Sequence, residues 1–261
     1  MLAKPKLAPK QLISQLQLQV GKVRIPRILL GTSPFIGSGQ FGSRASLYYT
    51  HFYENPLNIV RVMCKAVDLG VTGVQVLPYR KLFGALRVVE REIGERLTVV
   101  GTVGRHDPLG NIREFQRFKT VAMLLHGELT DKRDSKKISE LLNQVHATNC
   151  LAGLATHKPL STLNWLLKAD LDVDLLMLPF NRLGMFMDAK PVEVAKAIKR
   201  VNKPVIGKKV LAAGQLSPKD ALTYVTELGC VNIVALGVAS EKEAEETFTT
   251  AVKAFSGTVS A

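Results

Sequence analysis

The stretch KPVIGKKVLAAGQLSPKDALTYVTELGCVNIVALGV (203–238) contains the unit from which we infer the fold. Two apolar runs, KPVIGKKV (203–210) and VNIVALGV (231–238), flank a segment with helical spacing over residues 218–228. Ser217 followed by Pro218 is a typical start of a helix, because serine caps the first turn and proline fits its first position. The stretch therefore predicts a strand, a helix and a second strand.

The same unit recurs along the whole chain. Six further apolar runs precede helix-like segments: ILLGT (28–32), VTGVQVL (71–77), LTVVGTV (97–103), VAMLL (121–125), LAGLA (151–155) and VDLLML (173–178). Eight such units are typical of a closed (β/α)8 TIM barrel, whose active site lies just beyond the carboxyl ends of the strands. The 261 residues suit one barrel, and we expect a single domain over residues 1–261.

The N-terminal segment has two predicted parts. Residues 1–11 are expected to be a poorly ordered lead-in. Over residues 16–25, apolar side chains alternate with polar ones on both sides of a two-residue turn at Gly21 and Lys22. This pattern predicts a short β-hairpin that covers the amino-terminal end of the barrel.

Composition limits the functional classes. No apolar run approaches the ~18 residues of a membrane-spanning helix, so no membrane partner is expected. The net charge of +13 is spread along the chain without a dense basic block, which makes nucleic-acid binding an unfavoured interpretation. The three cysteines, Cys64, Cys150 and Cys230, have apolar neighbours and indicate buried thiols in a reducing, cytoplasmic compartment, and not a disulfide or zinc framework. A small-molecule ligand is the expected partner.

Residues 33–55 form the longest predicted irregular segment, and we expect them to be a flexible loop over the barrel mouth. They contain Gly37, Gly39 and Gly42 in the order of a dinucleotide-binding fingerprint. That fingerprint requires a helix that starts on the last glycine, whereas a predicted loop follows here. We therefore do not predict a Rossmann site.

Several motifs, taken in order, resemble the aldo-keto reductase family. AMLLHGE (122–128) resembles the fourth strand of the family, GLATHKPLSTLNWLL (153–167) its fifth unit and DLLMLPFN (174–181) its sixth strand. VGKVRIPRILLGTSPF (20–35) resembles the hairpin and first strand, while VIGKKVLAAGQLSP (205–218) and VALGVASEKEAEETF (234–248) resemble the last two units. The resemblance covers most of the chain and implies a barrel oxidoreductase that acts on a small carbonyl or sugar-like compound.

The resemblance also implies a catalytic set of Asp, Tyr, Lys and His, which this sequence retains in part. His126 matches the histidine that orients the substrate, and Tyr79 approximates the proton-donating tyrosine. Gln75 stands in place of the acid, and Thr102 lies near the place of the lysine. The chain thus resembles a divergent member that lacks the family Asp and Lys. A nicotinamide cofactor, NAD(P), is implied, although the acidic run SEKEAEE (240–246) opposes the extra phosphate of NADP.

Two other sets of strand-end residues carry alternative chemistry. His106, His126 and His157 follow three neighbouring strands and could hold Zn²⁺ or Fe²⁺ with an open water position. Lys208 and Lys209, with Arg80, Lys81 and Arg182 nearby, could bind an anionic substrate or form a Schiff base. Strand alternation directs only one of the two adjacent lysines inward.

The candidate substrate-binding residues are Gln75, His157, Asn181, Lys208 and Lys209. Two hypotheses stay open at this point. One is an enzyme that uses His126 and Tyr79, and the other is a non-catalytic barrel that binds a ligand, because two of the four family positions have changed. The barrel fold alone does not decide between them.

Overall fold

A computed structural model describes residue 13 and residues 15–257, so the predicted lead-in at residues 1–11 lies outside the described residues. Eight parallel strands close into a barrel in sequence order, and the last strand pairs with the first. This confirms the (β/α)8 TIM barrel. The barrel strands are β3 (Ile28–Gly31), β4 (Gly73–Val76), β5 (Thr98–Val103), β6 (Lys119–Leu125), β7 (Leu151–Ala155), β8 (Leu175–Pro179), β9 (Val205–Lys208) and β10 (Ile233–Gly237).

Helices follow the strands around the outside. They are α1 (Arg44–Tyr48), α2 (Pro56–Asp68), α3 (Arg80–Ile93), α4 (Pro108–Phe115), α5 (Gly127–Thr130), α6 (Ser135–His146), α7 (Pro159–Leu166), α8 (Pro191–Val201), α9 (Pro218–Leu228) and α10 (Glu241–Ser256). The predicted cap of α9 is present, since the Ser217 hydroxyl accepts a hydrogen bond from the Asp220 amide at 3.1 Å. Ser240 caps α10 in the same way, at 3.1 Å from the Glu243 amide. The helix predicted over residues 218–228 has these bounds in the structure.

The N-terminal hairpin has the predicted form. Strands β1 (Gln17–Val20) and β2 (Val23–Pro26) pair in antiparallel register around the Gly21–Lys22 turn. Gly21 adopts a left-handed φ of 55°, which glycine accepts without steric cost. Ile25 of β2 is fully buried in the same apolar cluster as Leu29 and Ile233. The hairpin therefore closes the amino-terminal end of the barrel and leaves the opposite end open.

Strand alternation explains what fills the barrel. Successive side chains of a strand point to opposite faces, so residues two apart share the interior. The lower interior is an apolar cluster that includes Val100 of β5, Leu124 of β6 and Ile206 of β9. Two residues further along these strands come Thr102, His126 and Lys208. The apolar core is thus covered by a layer of polar side chains at the carboxyl end.

The segment 33–55 differs from the predicted irregular loop. It forms two short 3-10 helices, Pro34–Ile36 and Gly39–Phe41, then α1 and a π-helical turn at Tyr49–Tyr53. Aromatic packing explains this order, because Phe35 and Phe52 are fully buried with ring centroids 5.0 Å apart. The segment does lie at the barrel mouth, as predicted, and it is a structured cover with its own small core.

Two further expectations concern the cysteine thiols and membrane-spanning helices. All three cysteines are free; Cys150 and Cys230 are buried as predicted, whereas Cys64 is only half-buried. Within the described part of the chain, no helix combines the length and apolar character that crossing a membrane requires.

Candidate active site at the barrel mouth

A cavity of about 770 Å³ opens at the carboxyl ends of the barrel strands. Its volume falls within the ~300–1,000 Å³ of ordinary ligand pockets. Six predicted site residues line it: Gln75, Tyr79, His126, His157, Lys208 and Lys209. The cavity extends outward between the segment 36–44 and the segment 209–218, and it reaches the first turns of α10.

The floor of the cavity contains a neutral pair where the family resemblance implies an acid and a lysine. The Gln75 side-chain amide donates a hydrogen bond of 2.9 Å to the Thr102 hydroxyl, and both residues are buried. The pair links β4 to β5, which are neighbours in the barrel. A neutral amide and hydroxyl satisfy each other here without the desolvation cost of two buried charges.

His126 stands at the end of β6 and also caps α5. Its Nδ1 accepts a hydrogen bond of 3.3 Å from the Glu128 amide, which leaves Nε2 as the nitrogen that carries the proton in the neutral ring. Burial, the nearby Lys208 charge and His157 together lower the pKa of His126 to about 4. His126 is therefore a neutral hydrogen-bond donor at neutral pH.

His157 packs against His126 and is oriented by Asp131. The two imidazole rings meet edge to face with centroids 5.2 Å apart. The Asp131 carboxylate accepts hydrogen bonds from the His157 amide at 3.1 Å and from the Thr156 hydroxyl, and it lies 3.6 Å from His157 Nδ1. Burial acts to raise the pKa of Asp131, but the hydrogen bonds from His157 and Thr156 outweigh it and lower the pKa.

Asp131 was not among the predicted site residues. It lies five residues beyond His126, on the turn that ends α5, and only the three-dimensional fold brings it to the start of the next unit. The sequence signal that could have indicated it is a single acid shortly after a strand-end histidine. That signal is weak, because Glu128 and Asp134 occupy similar places in the sequence and do not contact His157 in this way.

Lys208 is the inward-facing lysine of the adjacent pair. It is the last residue of β9, and its side chain lines the cavity. Within the described part of the chain, its ammonium group makes no hydrogen bond or ion pair. Burial and the neighbouring Lys209 lower the pKa of Lys208 to about 7, against the opposing influence of Asp131. Lys209 instead places its Nζ 4.4 Å from the centre of the Phe186 ring.

The segment after β9 has an unusual backbone. Lys209, Ala212 and Ala213 adopt left-handed φ values of 57°, 47° and 55°, which non-glycine residues rarely adopt. Such strain persists only where the surroundings hold it, and it is frequent at functional sites. Asn181 supplies one restraint by donating to the Lys209 carbonyl at 3.2 Å, and Arg44 supplies another by donating to the Ala213 carbonyl.

Two predicted site residues lie elsewhere. Asn181 is fully buried, and its amide is occupied by Lys209 and by both backbone groups of Met185, so it positions the segment after β9 and does not face the cavity. His106 is exposed in the turn after β5 and does not line the cavity. Both placements differ from the prediction, because the strand-end rule does not specify which side of the turn a residue faces.

The predicted metal set is not gathered. Among the described residues, one group of at least three His, Cys, Asp or Glu side chains has its ligand atoms within 4.8 Å of one another: His146, Asp172 and Asp174, on α6 and just before β8. His146 there bonds Asp174 at 2.8 Å, and Asp174 also accepts from the Ala152 amide at 2.8 Å. The geometry gives no support to the His106, His126 and His157 centre for zinc or iron.

Comparison with solved structures shows that this barrel fold is similar to that of several aldo-keto reductases. No protein-family model matches the chain, and no curated protein matches it. A solved structure described as an aldo-keto reductase from Pseudomonas aeruginosa superposes with a TM-score of 0.68 at 18% identity, over 93% of this chain and 97% of that one. An aldo/keto reductase from Brucella melitensis gives a TM-score of 0.63 at 11% identity, with 90% and 92% covered.

A third similar structure is titled a 2,5-diketo-D-gluconic acid reductase B, with a TM-score of 0.62 at 12% identity and coverage of 95% and 92%. At these identities the likeness concerns the fold alone. The chain therefore shares its barrel architecture with these solved structures.

Proposed function

We propose that this protein is an oxidoreductase that reduces a small carbonyl or sugar-like compound at the barrel mouth, with a nicotinamide dinucleotide as hydride donor. One observation carries the proposal: a single continuous cavity joins the polar floor around His126 to the strained segment after β9 and to the start of α10. A dinucleotide needs such an elongated groove, whereas a small substrate alone needs only the floor.

The residues of the groove fit a dinucleotide. Lys209, Val210 and Leu211 line the cavity, and their amides donate no hydrogen bond within the described part of the chain. Free amides next to left-handed residues form concave sites for anions, so this segment would hold the pyrophosphate. Arg44 lines the same groove and is exposed, which allows its guanidinium to contact a phosphate as well.

The outer end of the groove favours NADH over NADPH. Glu243 and Glu246 line it, and Glu243 is already engaged with the Ala239 amide at 2.8 Å. Glu246 is exposed and makes no ion pair among the described residues. A carboxylate at this end suits the hydroxyl groups of an adenosine ribose and repels a 2′-phosphate.

The bound dihydronicotinamide would supply a hydride. The protein residues bind and orient the carbonyl compound and supply the proton. His126 is neutral and presents its Nε2 hydrogen to a carbonyl oxygen, which it holds and polarises. Tyr79 lies at the cavity rim, 41% exposed, and its hydroxyl can deliver a proton to that oxygen from solvent. The helical cover over residues 34–53 forms one wall of the groove.

Titration of the purified protein with NADH and NADPH, followed by the fluorescence of the reduced nicotinamide, tests the proposal. We expect micromolar binding of NADH and at least tenfold weaker binding of NADPH. Glu246→Gln should reduce that preference, and Arg44→Ala should weaken both nucleotides. His106→Ala serves as the matched control, because His106 is exposed outside the cavity.

Turnover is tested separately, by the loss of NADH absorbance with a panel of short aldehydes, ketones and keto acids. His126→Ala should abolish turnover and leave NADH binding within about twofold. Absence of binding for both nucleotides would refute the oxidoreductase and leave the ligand-binding barrel. Binding without turnover on any carbonyl compound would refute the catalytic role of His126 and Tyr79.

A further inference from the structure

Lys208 is an uncompensated cation inside the active-site cavity. Its side chain points into the barrel mouth from the end of β9, and no described carboxylate forms an ion pair with it. Buried or half-buried cations are normally paired, because an isolated charge loses its hydration without compensation. A ligand with a negative charge can therefore supply the partner that the protein does not provide.

The charged and titratable neighbours of Lys208 do not supply that partner. Asp131 influences Lys208, but its oxygens already accept from the Thr156 hydroxyl and the His157 amide. His126 and His157 offer no negative charge, and Lys209 adds a like charge. Gln75 and Thr102 of the adjoining floor are neutral and bonded to each other.

We propose that Lys208 binds a carboxylate carried by the substrate, so that the site takes short oxo acids. This inference rests on the proposed function for the identity of the reacting carbonyl, which would lie at His126. The carboxylate would lie at Lys208, so a molecule with adjacent carbonyl and carboxylate groups spans the two residues. Recognition of both groups excludes simple aldehydes and ketones of the same size.

A carboxylate matches this position better than a phosphate. One ammonium group neutralises one negative charge, whereas a phosphate dianion is usually held by several donors, such as the amides of a nest or a helix N-terminus. The free amides of this site lie further out, at residues 209–211, where the proposed pyrophosphate would bind. Lys209 also lines the cavity, but its Nζ lies 4.4 Å from the centre of the Phe186 ring, which leaves Lys208, at the end of β9, as the lysine next to the floor.

Binding should be linked to proton uptake. Because the pKa of Lys208 is lowered to about 7, most molecules carry a neutral amine there at pH 8. A bound carboxylate favours the charged form and draws a proton from the buffer. His126 has a pKa near 4 and stays neutral, and the lowered pKa of Asp131 keeps that carboxylate ionised. Burial also lowers the pKa of Lys209, and the Lys208 variants described below separate its contribution from that of Lys208.

The test uses oxamate, an unreactive oxo-acid mimic, and oxamide, its uncharged isostere. Isothermal titration at pH 8 in two non-phosphate buffers of different ionisation enthalpy gives both affinity and the number of protons taken up. We expect oxamate to bind at least tenfold more tightly than oxamide, with uptake of about 0.9 proton, the fraction set by a pKa of about 7. Equal affinity for the two probes, or no proton uptake, would overturn the proposal.

Three variants sharpen the result. Lys208→Met should reduce oxamate affinity to that of oxamide. Lys208→Arg should keep the preference for oxamate but lose the proton uptake, because arginine is charged at every accessible pH. Lys196→Met, an exposed lysine on α8, should behave as the wild-type protein. Unchanged oxamate binding in Lys208→Met would refute the assignment even if proton uptake persisted.

Two further outcomes separate this inference from the proposed function. Inorganic phosphate that binds more tightly than oxamate, and depends on Lys208, would overturn the carboxylate assignment in favour of a phosphate subsite. Oxamate binding with proton uptake in a protein that binds neither NADH nor NADPH would support the inference and refute the oxidoreductase. NADH binding without discrimination between oxamate and oxamide would refute the carboxylate subsite and support the oxidoreductase.

Discussion

Replacement of Lys208 by methionine should make the protein more stable, although Lys208 belongs to the proposed site. The structure places an ammonium group in a cavity without an ion-pair partner, and burial lowers its pKa from 10.5 to about 7. At about 1.4 kcal/mol per pKa unit, this fall corresponds to an upper limit of about 5 kcal/mol. Because the group lies in an open cavity that water reaches, we expect about half of this, or about 2–3 kcal/mol.

The pH dependence follows from the sign of the shift. Below pH 7 lysine is charged in both the folded and the unfolded state, and the folded state carries the full cost of the buried charge. Between pH 7 and 10.5 the folded state loses its proton first, so the wild-type protein gains stability as the pH rises. The advantage of Lys208→Met should therefore be largest at pH 6 and nearly absent at pH 10.5.

Urea unfolding followed by far-UV circular dichroism, at pH 6, 8 and 10, measures this difference. Methionine has nearly the length of the lysine stem, so the packing of the methylene groups is retained. Lys196→Met is the matched control and should change the unfolding free energy by less than about 0.5 kcal/mol at each pH. A Lys208→Met protein less stable than wild type at pH 6, or equally stabilised at all three values, would contradict the reasoning.

Three further changes test the surroundings of the site. In Gly127→Ala the new Cβ would lie 2.3 Å from His157 Nδ1, so the imidazole ring must move. We expect turnover to fall at least tenfold in steady-state kinetics, while the free energy of unfolding in urea falls by only about 1 kcal/mol. Asn181→Ala removes the hydrogen bond that restrains the Lys209 carbonyl. It should lower the free energy of unfolding in urea by about 1–3 kcal/mol and weaken NADH binding in the fluorescence titration. The pKa of His126 is lowered from 6.5 to about 4, so between pH 4 and pH 6.5 the unfolded protein binds a proton that the folded protein does not. The free energy of unfolding should therefore fall as the pH drops from 6.5 to 4, and His126→Asn should reduce that fall. An NMR titration that gives the imidazole a pKa near 6.5 would contradict this reasoning.

The barrel could be predicted from the sequence because its signals are local and repeated. Each strand is a short apolar run bounded by turn residues, and each helix has its own apolar spacing and caps such as Ser217 and Ser240. The polar layer at the mouth follows from the same alternation, since Thr102, His126 and Lys208 lie two residues beyond inward apolar positions. The strand and helix positions and the polar layer therefore depend only on residues that are close together in the sequence.

The parts that could not be predicted depend on contacts between distant units. Asp131 belongs to the site only because β6 and β7 are neighbours, which brings the end of α5 to His157. Arg44 meets the Ala213 carbonyl across 169 residues of sequence. The helical form of residues 34–53 depends on Phe35 and Phe52 packing together, whereas the local glycines alone favour a loop.

The polar layer shows how the charge of this site is arranged. The neutral bond between Gln75 and Thr102 satisfies the floor beneath β4 and β5, so no buried acid there is available to stabilise a cation. Lys208 stands instead on β9, and Asp131, the acid that influences it, is committed to His157 and Thr156. A site with a neutral hydrogen-bond donor on one side and an unpaired cation on the other is complementary to a ligand that is polar at one end and negative at the other. That complementarity is the physical basis of the proposal that the substrate is an oxo acid and not a neutral carbonyl compound.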